Sequence, residues 1–130
     1  MTTFREAIEA KDMDAVESML AEDVVFTSPV AFKPYPGRAI TAAILRAVVK
    51  VFEDFTYVRE IHDGAHHAYE FTAKVDGLDL NGCDFLTYDD EGKIVDFKVM
   101  VRPLRAAEAL AARMGAQFEG IKAAAESNVF

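Results

Sequence analysis

A carboxylate set among apolar residues is the feature of this sequence best placed to do chemistry. Between Leu78 and Tyr88 the residues alternate. Leu80, Gly82, Asp84, Leu86 and Tyr88 fall on one side of an extended chain, and Asp79, Asn81, Cys83, Phe85 and Thr87 on the other. If the Leu80/Leu86 side faces a core, Asp84 goes with it. An ionised carboxylate is costly in apolar surroundings unless it is paired. Asp84 then has two ways to persist. Desolvation can raise its pKa until it exchanges a proton near neutrality, or neighbouring donors can satisfy it as a purely structural group. Residue types alone leave both open.

Other polar groups could join it. Tyr57 and Tyr69 offer hydroxyls from strand-like runs, although aromatic residues there also serve as plain core. His62, His66 and His67 flank the turn signal Asp63-Gly64-Ala65, where exposed polar residues are ordinary. His67 shares strand parity with Tyr69 and Phe71, which makes it the better pocket candidate of the three. The one cysteine, Cys83, has no partner for an intrachain disulfide, and no Cys/His grouping has zinc-site spacing. Neither a metal nor an organic cofactor is expected.

The elements that must hold these groups follow from periodicity. Residues 2–20 read as helix broken near Asp12, a natural N-cap, with Phe4, Ile8, Val16, Met19 and Leu20 at helical spacing. Val24 to Ser28 reads as a strand stopped by Pro29, and Phe32 to Gly37 as a loop because of Pro34, Pro36 and Gly37. From Arg38 to about Phe52, Ile40, Ile44, Ala47, Val48, Val51 and Phe52 make a broad apolar stripe. Four strand-like runs follow, Phe55–His62, His66–Val75, Leu78–Tyr88 and Lys93–Val101, each closed by a turn signal such as Asp76-Gly77. Leu104 to about Ala125 reads as one Ala-rich helix. In the second and fourth of these runs Tyr69, Phe71, Ala73 and Val75, and Phe97, Val99 and Val101, form apolar sets that should face the helices. The expectation is an α+β fold in which three or four helices cover the concave side of a curved, mostly antiparallel sheet.

Composition sets limits. A chain of 130 residues, 52% apolar, suits a single domain over residues 1–130 with a real core. Its net charge of −8 and fourteen scattered basic residues argue against a phosphate-backbone partner such as nucleic acid. No apolar run approaches membrane-spanning length. The start, Met1 to Glu6, has no basic segment leading into an apolar one, so no secretory leader is expected, and a cytoplasmic location is.

Several motifs in order carry a resemblance. They are Lys11-Asp12-Met13-Asp14-Ala15 with Leu20-Ala21-Glu22-Asp23-Val24, then Ser28-Pro29-Val30, Pro36-Gly37-Arg38 before a helix, Asp84 to Ile94 as a hairpin, and Val101-Arg102-Pro103-Leu104. Over roughly residues 4–115 the chain resembles the SnoaL-like branch of the NTF2-like superfamily, whose cone-shaped fold wraps a curved sheet around N-terminal helices and ends in a C-terminal helix. This implies an apolar pocket for a small molecule. In the related ketosteroid isomerases a helix Tyr and a protonated strand Asp hold the oxyanion while a second Asp moves the proton. The strand Asp matches Asp84; the base position falls on Ser28 and the Tyr position on Phe4, so two of the three roles are unfilled. In SnoaL-type polyketide cyclases an Asp works with a supporting His, for which His67 is the candidate. For limonene-epoxide-hydrolase relatives an inward Asp of the last strand falls near Val99, which argues against that reaction.

The resulting expectation is a cofactor-independent isomerase- or cyclase-type protein for an apolar substrate. Asp84 is its catalytic candidate, Ser28, Tyr57, His67 and Tyr69 are its polar lining, and Phe71, Leu86, Phe97, Val99 and Val101 are its wall. The alternative is a non-catalytic binding or dimeric interaction module. A homodimer is expected through the outer sheet face, where Phe85 and Met100 stand among charges of both signs.

Overall fold

In the computed structural model, which describes residues 2–127, helices and strands succeed one another as α1 (Phe4–Glu9), α2 (Met13–Met19), β1 (Leu20–Thr27), β2 (Tyr35–Pro36), α3 (Arg38–Val51), β3 (Glu53–Asp63), β4 (His66–Val75), β5 (Leu78–Tyr88), β6 (Ile94–Arg102), α4 (Leu104–Ala116) and α5 (Phe118–Ser127). Local chemistry sets the first boundaries. Thr3 and Glu6 form a reciprocal capping box on α1, the Thr3 N–H donating to Glu6 Oε1 at 2.9 Å and the Glu6 N–H to Thr3 Oγ1 at 3.2 Å. Asp12 caps α2 by accepting from the Ala15 N–H at 3.1 Å. Arg46 of α3 then ties α2 down through Asp14 and Glu17.

The six strands form one sheet in the order β2-β1-β6-β5-β4-β3. From β3 to β6 it is an antiparallel meander, unbroken in register between β4 and β5 and with irregularities at Glu53/Thr56 and Tyr57/Arg59 of β3 and Thr87/Tyr88 of β5. In the two-residue β4–β5 turn Asp76 and Gly77 both take positive φ (51° and 78°), the geometry that such a hairpin with right-handed strand twist requires. The helices lie against the concave face. Phe4, Ala7 and Val16 of α1 and α2, Ile44 and Leu45 of α3, and Ala106 and Leu110 of α4 are buried in one core with Phe71, Leu86 and Phe97 of the sheet.

Three features depart from the sequence expectation. β1 begins at Leu20 rather than Val24 and runs parallel to β6, with an irregularity between Leu20 and Val25. Tyr35 and Pro36, read as loop, pair with Phe26 and Val25 as a two-residue edge strand, where the missing N–H of proline faces no neighbour strand. The C-terminal helix is two helices divided at Gln117, and α5 packs on α3 through Ile121 and Ala125. Gly115 weakens the helix just before the break, since glycine costs about 1 kcal/mol relative to alanine there. Among the described residues no helix is long and apolar enough to cross a membrane.

Candidate functional site

Between the helices and the concave sheet face lies a cavity of about 280 Å³. Its walls are apolar, as for most small-molecule sites. α1 contributes Phe4 and Ile8, α3 contributes Ile44, Leu45 and Val48, and α4 contributes Leu110 and Met114. One side is aromatic. Phe55 stacks on Phe71 at 4.8 Å, meets Tyr57 edge-on at 4.9 Å, and stands 5.7 Å from Phe52. Such pairs are worth about 0.5–1.5 kcal/mol each beyond the area they bury.

Into this lining projects Asp84, from the middle of β5 and only 7% exposed. Strand alternation puts it on the buried side with Leu80 and Leu86. Its hydrogen-bond partner is Tyr57, whose hydroxyl donates to Asp84 Oδ2 at 3.2 Å. No cation pairs with it among the described residues. Burial therefore dominates: loss of solvation pushes the carboxyl up to about 7, and the Tyr57 hydrogen bond pulls it back only in part. The Tyr57 phenol is raised in turn, first by burial and then by the facing Asp84 charge. Arg5 lies 5.7 Å above the Tyr57 ring while its guanidinium pairs with Glu9 and Glu60, which fixes the ring's position from outside the cavity.

Ser28, Tyr57, Phe71, Phe97 and Val99 line the cavity with Asp84. Ser28 Oγ also accepts from the Val30 N–H at 3.1 Å, holding the Ser28-Pro29-Val30 turn at the rim. The other four candidates are placed elsewhere. Tyr69 is buried, but its hydroxyl meets His67 Nδ1 at 3.1 Å and its ring packs under Phe4 at 5.4 Å. His67 lies half-buried near the β3–β4 turn, stacked on His62 at 3.9 Å and 4.7 Å from the Tyr88 ring. Leu86, two residues beyond Asp84, is fully enclosed in the core. Val101 borders a groove of the opposite sheet face beside Met100 and Arg102.

Sequence reading placed Phe52 in the apolar stripe of α3 but not on the cavity wall, and did not single out Phe55, Lys11 or Asp54. Phe55 shares parity with Tyr57 and was there to be found. Lys11 and Asp54 owe their positions to positive φ angles (56° and 53°), which non-glycine residues do not advertise. Among the described residues no group of three or more His, Cys, Asp or Glu is placed to hold a metal ion.

The family model of the SnoaL-like domain matches residues 1–97. The chain belongs to the SnoaL-like family. Among solved structures, this SnoaL-like chain is 41% identical to one described as a steroid delta-isomerase from Pseudomonas aeruginosa, with a TM-score of 0.86 over 93% of this chain and 90% of that one. A protein with a cystatin-like fold from Silicibacter pomeroyi is 37% identical, with a TM-score of 0.79 over 87% and 84%. An NTF2-like protein of unknown function from Mesorhizobium loti, 19% identical with a TM-score of 0.69 over 77% and 85%, shares the fold. No curated protein matches the chain.

Proposed function

We propose that this SnoaL-like protein is a cofactor-independent isomerase-type enzyme for a small apolar ketone, with Asp84 as its catalytic residue. The observation that carries the reading is a buried carboxyl in a ring-lined cavity, with no cationic partner among the described residues and a phenol as its hydrogen-bond partner; burial raises it to about 7. Below that pH Asp84 is a neutral acid, and it and Tyr57 together offer O–H donors to a carbonyl oxygen that becomes an oxyanion. Phe4 cannot supply a hydroxyl from α1, and Tyr57 supplies one from β3. Ser28 is a poor proton acceptor. Asp54, the other carboxylate among the lining residues, is the group left to carry the proton between carbons. The likeness to a steroid delta-isomerase supports a fused-ring ketone as first substrate to try.

The test is isomerisation of a β,γ-unsaturated ketosteroid, followed by the absorbance of the conjugated enone. Asp84→Asn should lower kcat by about 100-fold or more, the usual contribution of a positioned acid or base, and Asp54→Asn should also lower it. Undiminished turnover by Asp84→Asn would overturn the assignment. A second reading, a non-catalytic binding module, draws on Ser28 standing at the base position. It predicts binding without turnover, equal in the native and Asp84→Asn proteins.

The same proposal includes a homodimer through the convex sheet face. There the register aligns Ile61, Ala68, Phe85 and Lys98 in one row and Arg59, Glu70, Cys83 and Met100 in the next. Ile61 and Met100 are each 55% exposed. A specific dimer should cover about 800 Å² per subunit. Sedimentation should give a dimer mass for the native chain and a monomer mass for Phe85→Glu; a native monomer at all concentrations would reject it.

A further inference from the structure

Gly82 lies opposite Phe71 in the β4–β5 ladder and two residues before Asp84 on the same face of β5. The Phe71 ring lies directly over it. A Cβ at position 82 would come within 2.4 Å of Phe71 Cζ, 2.9 Å of Phe71 Cε1 and 2.9 Å of the Met100 carbonyl oxygen. These distances are inside any tolerable carbon contact, and the carbonyl belongs to the paired strand β6, which cannot swing aside as a side chain can. The Phe71 ring is 1% exposed and bordered by Phe55 at 4.8 Å and Phe52 at 5.7 Å, all three on the cavity lining. The free space beside this ring is the cavity itself.

We infer that Gly82 is a size-determining position of the site: its missing side chain lets Phe71 lie flat on the sheet, and this sets the largest ring system the cavity admits. Any side chain at 82 lifts the Phe71 ring into the cavity next to Asp84. The inference rests on the reading of the cavity as a ligand site. The ligands it sorts are apolar ring compounds with one polar oxygen for Asp84 and Tyr57.

Phenol and the three-ring alcohol 9-phenanthrol serve as probes, with Kd measured by calorimetry or fluorescence for the native chain and three variants. Gly82→Ala should weaken 9-phenanthrol binding at least tenfold and phenol binding less than threefold. Phe71→Leu removes one ring of the lining and sets the reference affinity for the double variant. The double variant Gly82→Ala/Phe71→Leu, which relieves the ring contact and leaves only that with the Met100 carbonyl, should regain part of the 9-phenanthrol affinity lost in Gly82→Ala, and it keeps the test decisive if Gly82→Ala alone folds poorly. Equal losses for both probes, no loss at all, or a double variant that regains nothing would overturn the inference. If the native chain binds neither probe, the ligand-site reading fails for this chemistry. A crystal structure of Gly82→Ala then decides the rest: Phe71 displaced into a smaller cavity upholds the role of Gly82, and Phe71 unmoved ends it.

Discussion

Asp84 and His67 stand on adjacent strands of the same sheet, Asp84 facing Tyr69 and His67 facing Leu86 in the β4–β5 register. Burial drives both toward their neutral forms. It raises Asp84 to about 7, and it lowers His67 below the ordinary imidazole value, helped by the charge of the stacked His62. The difference lies in what surrounds them. His67 shares a network at the water's edge: its Nδ1 meets the Tyr69 hydroxyl, its ring lies on His62, and His62 Nε2 meets Glu60 at 2.6 Å. Asp84 has a single phenol and apolar walls. A polar cluster with many partners dissipates charge and acts as structure. A buried carboxyl with one partner in a largely apolar cavity keeps its proton available, which is what acid–base work asks for.

The largest effect that would sharpen this contrast concerns Asp84 and pH. Its folded pKa, about 7, lies above the ordinary aspartate value of 3.8. Between those values the folded chain holds a proton that the unfolded chain has lost, so stability falls as pH rises through this window and is unaffected below it. The full penalty, at 1.36 kcal/mol per pH unit, is about 4 kcal/mol above pH 7. Urea unfolding of Asp84→Asn should therefore show a gain over the native chain at pH 8 that is absent at pH 4. An advantage independent of pH would mean that Asp84 is solvated.

Tyr57→Phe should have a smaller effect of defined sign. The Tyr57 hydroxyl favours the ionised carboxylate, so its removal should move the Asp84 midpoint upward by about one pH unit, roughly 1.4 kcal/mol. Carboxyl-carbon NMR titration reads this directly, and a downward shift would contradict the present donor assignment. His67→Ala should do least: a stability cost under about 1 kcal/mol, as for other partly exposed polar contacts, with the Asp84 midpoint moved by no more than a few tenths. An Asp84 response to His67→Ala as large as that to Tyr57→Phe would join the two clusters into one titrating unit and remove the distinction.

The meander and the buried side of β5 are legible in the sequence because their causes are local. Period-two alternation and dipeptides such as Asp76-Gly77 need no knowledge of the rest of the chain. Asp84 among buried residues follows from that alternation. The parallel pairing of β1 with β6 does not, since it joins segments about seventy residues apart and only the finished sheet defines it. Parity also misleads at Tyr69 and Leu86. Both share Asp84's side of the sheet, yet the cavity ends before them, because Phe4 of α1 packs on Tyr69 and Phe97. A helix contact of this kind is invisible to strand periodicity. The same holds for Gly82, which reads as a weak spot in a strand until the ring lying over it is seen.

Leu110 and Met114 close the cavity from α4, whereas the family model matches only residues 1–97. The strand that carries Asp84 and the helix that covers it thus stand well apart in the chain. A side-chain change in α4 can reshape the cavity while leaving the strand that carries Asp84 untouched. Cover and carboxyl are coupled through solvent access. A tail that covers less lets solvent reach the carboxyl, and the same aspartate, unchanged in sequence, becomes an ordinary surface acid.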